Sequence, residues 1–281
     1  MILQETFTLA NGVRIPKLGL GTWMIPDDQA AQVVRNAVDI GYRHIDTAER
    51  YNNEAAVGEG LHQGLRDAGL RREDIFVTTK VYYDKLAADD FQRSFDESLT
   101  KLKLPWVDLL LIHWPNPNVP LAETLGVLCK AKRDGRARHV GVANFTTALL
   151  EEAVKLADEP LVTNQIEVHP FLDQDRVLGA CRSHGLSVTA YCPLARGKIP
   201  GNETLERIGK AHGKSASQIA LRYLVQQRII PIPRTATPEH LAANLAIFDF
   251  TLTEDEMAEI DGLRQPGGRV VNPRHAPKWD D

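Results

Sequence analysis

Residues able to move protons stand at the ends of apolar runs in the first half of the chain. Asp46 follows Ile45 in YRHIDTA, Lys80 ends DIFVTTK, and His113 lies near the end of VDLLLIHW. Tyr51 stands a few residues beyond Asp46. Each has an ordinary structural interpretation alone, because strand-end aspartates often cap helices and buried histidines are usually hydrogen-bonded core residues. As a set they indicate a site, since burying such charges unpaired is costly.

The chemistry expected of this set is proton transfer to a carbonyl oxygen. Asp46 and Lys80 can pair, and a lysine cation beside the phenol of Tyr51 is expected to lower its pKa from about 10. Tyr51 is then suited to protonate a developing alkoxide, with His113 as a second hydrogen-bonding group. No activated serine or cysteine stands at these positions, so the pattern favours carbonyl reduction over acyl transfer. The hydride must come from a cofactor.

Eight short apolar runs can position these residues, and they alternate with stretches of helical period. The runs are KLGLGTW, YRHIDTA, DIFVTTK, VDLLLIHW, RHVGVANF, VTNQIEVH, LSVTAYCP and RIIPIPR. They are nearly continuous in apolar character, as expected for parallel strands covered by helices. Helical faces are predicted for two residue sets: Phe91, Phe95, Ser98, Leu99 and Leu102, and Ala216, Ile219, Ala220, Tyr223 and Leu224. Eight βα units in roughly 250 residues predict an α/β fold of the (β/α)8 TIM barrel type.

A β-hairpin is predicted before the first barrel strand. In FTLANGVRIP an Asn11–Gly12 turn separates two alternating segments, which is a strong hairpin signal. We expect this hairpin to cap the N-terminal end of the barrel. No Ser/Gly linker or low-complexity block interrupts the chain, so residues 1–281 are predicted to form a single domain.

Further polar residues stand at the ends of the later strands. Active sites of such barrels lie at the C-terminal ends of the strands, so these side chains are expected at the same mouth. They are Asn144 after the fifth strand, Gln165 and Glu167 in the sixth, Tyr191 in the seventh and Arg234 after the eighth.

Composition excludes several classes of partner. The formal net charge of the 281 residues is −4, and Lys and Arg are scattered, which argues against nucleic acid or a membrane surface. No apolar run approaches the ~20 residues of a membrane helix, and the N-terminus shows no signal-peptide pattern. The three cysteines lack CxxC spacing, which favours a reduced cytoplasmic protein.

Common nucleotide and metal motifs do not occur. The glycines at Gly19 and Gly21 would need a third at Met24 to form a dinucleotide-binding loop, and Gly213–Lys214–Ser215 lacks the first glycine of a P-loop at Ile208. No HExxH or metal-spaced Cys/His cluster is present, so no metal is predicted. A nucleotide must therefore be held in another way.

The sequence resembles the aldo-keto reductase family over essentially its whole length. The segments that carry the resemblance are GLGTW, GYRHIDTAERYNNE, TTK, LLLIHWP, VGVANF, NQIEVHP, YCPLARG and IPRTATPEHLAANL. Its short C-terminal segment is most similar to the bacterial 2,5-diketo-D-gluconate and methylglyoxal reductases. The resemblance implies that the family's catalytic residues are Asp46, Tyr51, Lys80 and His113.

The resemblance also implies NADPH across the barrel mouth, with NADH accepted more weakly. Asn144 and Gln165 would hold the carboxamide, and Tyr191 would stack on the nicotinamide ring. The remaining cofactor residues implied are Gly21, Thr22, Cys192, Leu194, Arg234, Thr235, Thr237, His240 and Asn244, and the implied substrate residues are Trp23, Tyr82 and Trp114. The chain departs from the family pattern at Ala143 and Cys192, which are usually Ser, at His240, which is often Arg, and at Tyr82, which is often Trp.

The leading functional hypothesis is a monomeric, NADPH-dependent reductase of small aldehydes and ketones, such as methylglyoxal, keto-sugars or aromatic aldehydes. A second is a nucleotide-binding redox-sensing module, although a sensor has no need of Tyr51. A third is a sugar-phosphate isomerase or lyase in which Lys80 forms a Schiff base. Asp46 argues against the third, because it should keep Lys80 charged rather than nucleophilic.

Overall fold

Ten strands are present in the computed structural model, which describes residues 5–9 and 12–280. Two form an antiparallel hairpin and eight form a parallel sheet. The strands are β1 (Thr6–Thr8), β2 (Arg14–Pro16), β3 (Leu20–Gly21), β4 (His44–Asp46), β5 (Phe76–Val81), β6 (Val107–Ile112), β7 (Ala137–Ala143), β8 (Leu161–Glu167), β9 (Ser187–Tyr191) and β10 (Ile229–Pro231).

The eight parallel strands follow one another in chain order, and each pairs with the next from β3 to β10. The first and last strands are joined by backbone hydrogen bonds from Gly19 N to Pro231 O at 3.0 Å and from Gly21 N to Pro233 O at 3.1 Å. A Cβ atom on Gly21 would lie 2.7 Å from Ile232 O, so this closure requires glycine. The (β/α)8 barrel predicted from the sequence is confirmed.

Ten α-helices of the described residues cover the barrel. They are α1 (Asp27–Ile40), α2 (Glu54–Asp67), α3 (Ala88–Leu102), α4 (Leu121–Arg133), α5 (Thr147–Leu156), α6 (Asp175–Ser183), α7 (Glu203–His212), α8 (Ala216–Gln226), α9 (Pro238–Leu245) and α10 (Glu254–Asp261). The two helical faces predicted from periodicity are the buried faces of α3 and α8. Strands β5, β6 and β8 are buried along their whole length, because side chains on one face fill the barrel and those on the other meet the helices.

The predicted N-terminal hairpin is present. Strands β1 and β2 pair antiparallel, with Phe7 opposite Ile15, and both side chains are buried. Arg228, which immediately precedes β10, donates to the backbone oxygen of Thr8, so the hairpin lies at the N-terminal end of the barrel. Of the predicted turn residues, Gly12 has the left-handed φ of 81° that favours glycine, whereas Asn11 lies outside the described residues.

Within the described part of the chain, no helix is long and apolar enough to cross a membrane.

Candidate active site

The predicted proton-transfer residues converge at the C-terminal ends of neighbouring strands. Asp46 ends β4, Lys80 is the next-to-last residue of β5, and His113 directly follows β6. Tyr51 ends a short 3₁₀ helix, Glu49–Tyr51, in the loop after β4. The loop geometry brings its phenol back over the strand ends, which sequence spacing alone could not establish.

A buried ion pair forms the base of the site. Lys80 Nζ donates to Asp46 Oδ1 at 2.6 Å, to the backbone oxygen of Thr47 at 2.8 Å and to the Tyr51 hydroxyl at 3.3 Å. The side chains of Lys80 and Asp46 are 0% and 1% exposed. Three acceptors therefore satisfy the three N–H groups of one ammonium ion, which makes Lys80 a poor nucleophile for a Schiff base.

The pKa of Tyr51 differs from the sequence-based expectation. Burial, followed by the charge of Asp46, raises the pKa of Tyr51 well above 10, whereas the sequence predicted that Lys80 would lower it. Burial also lowers the pKa of Lys80 and raises that of Asp46, and the ion pair between them opposes both shifts. The prediction of a lowered Tyr51 pKa is therefore wrong. A raised pKa keeps the phenol protonated, which is the form a proton donor requires.

His113 lies beside the phenol as a neutral imidazole. Its ring centroid is 5.7 Å from that of Tyr51 in an edge-to-face arrangement. Burial, together with the charge of Lys80, lowers the pKa of His113 well below 6.5. Its Nδ1 atom is buried without a hydrogen-bond partner among the described residues, and a buried orphan donor is less tolerable than a buried orphan acceptor. The tautomer with its proton on Nε2 is therefore favoured, and this proton can be donated to a ligand oxygen.

The amide side chains assigned to the nicotinamide carboxamide are held rigidly. Gln165 Nε2 donates to Asp46 Oδ2 at 2.7 Å. Asn144 Nδ2 donates to the backbone oxygen of His113 at 2.9 Å, and its Oδ1 accepts from the Tyr191 hydroxyl at 2.7 Å. Asn144 also adopts a left-handed φ of 63°, which asparagine tolerates better than most residues. Both amides thus have fixed orientations next to the ion pair.

The loops after β3 and β9 carry further residues of the predicted cofactor set. Thr22 is fully buried, and its Oγ1 has no hydrogen-bond partner in the described part of the chain. Cys192 directly follows β9 with a left-handed φ of 48°, and burial raises the pKa of its thiol to about 11. Leu194 is half-buried in the same loop, and Gly21 at the end of β3 contacts the backbone of Ile232.

The start of α9 carries the residues assigned to the adenosine phosphate. Arg234, Thr237 and His240 are exposed, whereas Thr235 and Asn244 are buried. Arg234 donates to the backbone oxygen of Met24 at 2.8 Å, and Thr235 Oγ1 accepts from Thr237 N at 3.1 Å. The buried hydroxyl of Tyr42 donates to the backbone oxygen of Leu241 in α9 at 3.2 Å. A helix N-terminus beside an exposed arginine is chemically suited to an anion.

Two of the three predicted substrate residues lie next to His113. The Tyr82 ring is 5.3 Å from the His113 ring, and Trp114, which follows His113 in the chain, is 5% exposed. Trp23 is 38% exposed in the loop after β3, where the Arg196 guanidinium lies 4.9 Å from its ring. Trp23 thus belongs to the opposite side of the mouth, near the β9 loop.

The sequence did not reveal that the C-terminal segment reaches this mouth. His275 stacks on Tyr83 with ring centroids 4.1 Å apart, and its Nε2 lies 3.3 Å from the Tyr82 hydroxyl. The segment is held by Glu167, whose carboxylate accepts from the backbone N–H groups of Val270 at 2.5 Å and Val271 at 2.8 Å. No local sequence signal identifies these contacts, since Tyr82 and His275 are 193 positions apart.

No group of three or more His, Cys, Asp or Glu side chains able to hold a metal occurs among the described residues.

The chain is similar to known proteins over most of its length. Residues 17–265 match the sequence profile of the aldo/keto reductase family. The methylglyoxal reductase DkgB of Escherichia coli O157:H7 is 37% identical over 270 residues, covering 95% of this chain and 99% of that protein. A crystal structure provisionally assigned as a 2,5-diketo-D-gluconic acid reductase B has a TM-score of 0.94 and 46% identity, covering 99% of this chain and 98% of that one. The Bombyx mori aldo-keto reductase in complex with NADP has a TM-score of 0.90 and 35% identity, covering 97% and 96%.

The chain therefore belongs to the aldo/keto reductase family of oxidoreductases. The resemblance inferred from the sequence motifs is confirmed, including its similarity to the bacterial methylglyoxal and 2,5-diketo-gluconate reductases.

Proposed function

We propose that this protein reduces small aldehydes and ketones, including dicarbonyls such as methylglyoxal and keto-sugars, with NADPH as the hydride donor. The observation that carries the proposal is the position of the Tyr51 hydroxyl, which lies 3.3 Å from a buried lysine ammonium and next to a neutral imidazole. Proton delivery to a carbonyl oxygen is the chemistry that this arrangement suits. The names of its relatives support the substrate class.

The protein's own residues act on the carbonyl oxygen. Bound NADPH would supply the hydride that forms the new C–H bond at the carbonyl carbon, leaving NADP⁺. Tyr51 gives its proton to the oxygen, which yields the alcohol, while His113 donates a hydrogen bond from Nε2 to the same oxygen. The negative charge left on the phenol faces Lys80 Nζ at 3.3 Å. Lys80 and Asp46 act through Tyr51, so they are positioning residues rather than proton donors.

The residues present fit NADPH by their donor and acceptor chemistry. Gln165 Nε2 donates a hydrogen bond to Asp46, so the Oε1 atom of the same amide remains an acceptor for an amide N–H. The buried Thr22 Oγ1 is an unpartnered polar atom near the same strand ends. At the other end of the proposed site, Arg234 and the first turn of α9 provide positive charge for a phosphate. The proposed set is completed by Gly21, Asn144, Tyr191, Cys192, Leu194, Thr235, Thr237, His240 and Asn244.

Replacing Tyr51 by Phe tests the proposed reaction. The substitution removes only the phenol oxygen, and general acid catalysis typically contributes ~10²–10⁴-fold. We expect turnover of methylglyoxal to fall by at least about a hundredfold while the Kd for NADPH changes little. Turnover is measured by loss of NADPH absorbance, and Kd by fluorescence titration. Retention of more than about a tenth of wild-type turnover, with a deuterium isotope effect showing that hydride transfer limits the rate, would contradict the role of Tyr51.

Replacing His240 by Arg tests the proposed cofactor preference. His240 is exposed in the first turn of α9, and the planar fork of an arginine matches a phosphate better than an imidazole does. We therefore expect the preference for NADPH over NADH to be larger in His240→Arg than in the wild type. The measurement is the ratio of the two Kd values in each protein. A ratio unchanged by the substitution would show that residue 240 does not contact the phosphate.

We also propose that residues 1–281 act as one barrel domain and as a monomer in the reducing cytoplasm. All three cysteines are free, and Cys129 and Cys181 are buried, which is compatible with a reducing compartment. Size-exclusion chromatography with light scattering tests the proposed monomer, and a dimer mass would contradict it.

A further inference from the structure

An arginine lies at the rim of the proposed carbonyl pocket. Arg50 directly precedes Tyr51, is exposed, and places its guanidinium carbon 5.2 Å from the centroid of the Tyr82 ring. Burial raises the pKa of the Tyr82 phenol, and the positive charge of Arg50 opposes that rise. The Tyr82 ring in turn lies 5.3 Å from the His113 ring. Arg50 is therefore separated from the proposed reaction centre by one aromatic ring.

Tyr82 links this arginine to the C-terminal segment. Arg50 lies over the Tyr82 ring, and the Tyr82 hydroxyl can donate its single proton to His275 Nε2, which lies 3.3 Å away. Accepting at Nε2 places the proton of a neutral His275 on Nδ1, and no group of the described chain accepts from that atom. Arg50 and His275 thus both lie against Tyr82, and both carry N–H donors.

The neighbouring acids do not cancel the charge of Arg50 by pairing with it. Glu49 accepts from Lys85 Nζ at 2.8 Å and from the backbone N–H of Tyr82 at 3.3 Å, and its side chain is 8% exposed. Asp84 is exposed and acts on Tyr82 and His275 only through its charge. Within the described chain no carboxylate lies within 4.0 Å of the guanidinium of Arg50, and this side chain is exposed.

We infer that Arg50 and His275, which both contact Tyr82, form a carboxylate-binding rim, so that the preferred substrates are small oxo acids. Such a substrate carries a carboxylate on the same molecule as the aldehyde or ketone. This inference rests on the proposed function, because it assigns the second functional group of the molecule that is reduced. An arginine fork is the side chain best matched to a carboxylate, and its charge also steers anions toward the mouth.

The experiment compares each acid with its own methyl ester. Succinic semialdehyde and methyl 4-oxobutanoate form a flexible pair, and 4-carboxybenzaldehyde and methyl 4-formylbenzoate form a rigid pair. The measured quantity is the ratio of kcat/KM for acid to that for ester, with NADPH saturating. We expect the wild-type ratio to reach about tenfold in at least one pair at low salt, and to fall with ionic strength because the rim is open to solvent.

Two substitutions should change this ratio in opposite directions. Arg50→Gln removes the cation, and the ratio should fall to about 1. Asp84→Asn removes a nearby negative charge, and the ratio should rise about threefold. The matched control is Arg66→Gln, which makes the same chemical change at the other end of α2 from the pocket, and it should leave the ratio unchanged. Taking a ratio within each variant cancels any general loss of active protein.

The outcomes separate this inference from the proposed function. Reduction of the esters and of methylglyoxal with a wild-type acid-to-ester ratio near 1 would overturn the carboxylate rim and leave the reductase proposal standing. Equal ratios in the wild type and Arg50→Gln, or an equal fall in Arg66→Gln, would also overturn it. Failure to reduce any acid, ester or methylglyoxal would overturn the proposed function itself.

Discussion

Replacing Lys80 by Met should separate the structural role of the buried ion pair from its role in turnover. The substitution keeps an unbranched side chain of similar length but removes all three N–H donors. Asp46 then keeps one side-chain donor, Gln165 Nε2 at 2.7 Å, and Tyr51 loses the cation 3.3 Å from its oxygen. We expect both a loss of stability and a loss of turnover, which have different physical causes.

The loss of stability comes from the carboxylate that is left behind. Breaking a buried ion pair by removing one partner typically costs about 3–5 kcal/mol. Because Gln165 still donates a hydrogen bond to Asp46, we expect a cost at the lower end of this range, about 3 kcal/mol. The double variant Asp46→Asn/Lys80→Met has no buried charge at this position. We therefore expect it to be more stable than Lys80→Met alone and to show a coupling free energy of about 2 kcal/mol. Turnover should not recover, because the cation beside Tyr51 is still missing.

The stability deficit of Lys80→Met should depend on pH in one direction. Without the cation, burial raises the pKa of Asp46 in the folded variant further above 3.8, the value taken for the unfolded chain. Between these two values the folded state binds more protons than the unfolded state, so its stability increases as the pH falls. The deficit relative to wild type should therefore shrink on acidification, by at most about 1.4 kcal/mol per pH unit.

Urea unfolding monitored by tryptophan fluorescence gives the free energies of the four proteins of the cycle at pH 7.5 and 5.5. NADPH oxidation at saturating methylglyoxal gives their turnover. The reasoning fails if the double variant is destabilised by the sum of the two single changes, because the unpaired charge would then not be the cause. It also fails if Lys80→Met keeps more than about a tenth of wild-type turnover with hydride transfer rate-limiting.

Two further predictions follow from the site and the C-terminal segment. Burial holds the pKa of His113 well below 6.5 and that of Tyr51 well above 10. When hydride transfer limits the rate, kcat should therefore stay constant from pH 6 to 9. A change of kcat near pH 6.5 that disappears in His113→Gln would contradict the neutral imidazole. Glu167→Gln replaces one of the carboxylate oxygens that hold Val270 and Val271. Hydrogen exchange measured by mass spectrometry should therefore accelerate in residues 268–280 but not in the barrel strands, whereas substitution of the exposed Glu151 by Gln should change neither. Equal exchange in both variants would show that Glu167 does not hold the segment.

The sequence predicted the barrel and the convergence of the proton-transfer residues because both depend on local pattern. Each apolar run marks a strand, and the rule that active residues lie at C-terminal strand ends places Asp46, Lys80 and His113 together without any knowledge of loops. The same rule found the amides of Asn144 and Gln165. Each of these side chains is fixed by its position on a strand or directly after one.

The properties that the sequence did not predict depend on distant contacts. The pKa of Tyr51 was predicted in the wrong direction, because a pairwise argument includes Lys80 but not the burial that the completed barrel imposes on the phenol. The contribution of His275 depends on how the segment after α10 crosses the mouth, and nothing near His275 in the chain encodes this path. Arg50 was overlooked for a related reason: its significance comes from Tyr82, which lies on another loop.

One carboxylate connects the two halves of the proposed reaction. Asp46 Oδ1 accepts from Lys80, which lies against the proton donor, and Oδ2 accepts from Gln165, which is proposed to hold the cofactor amide. Because Oδ2 can only accept, it fixes the Gln165 amide with its nitrogen toward Asp46 and its oxygen free for a ligand N–H. The same charge that keeps Lys80 protonated thus also sets the polarity of the amide site. The carboxylate of Asp46 therefore specifies the orientation of a second binding group as well as the ionisation of the first, which a hydrophobic replacement of the ion pair could not do.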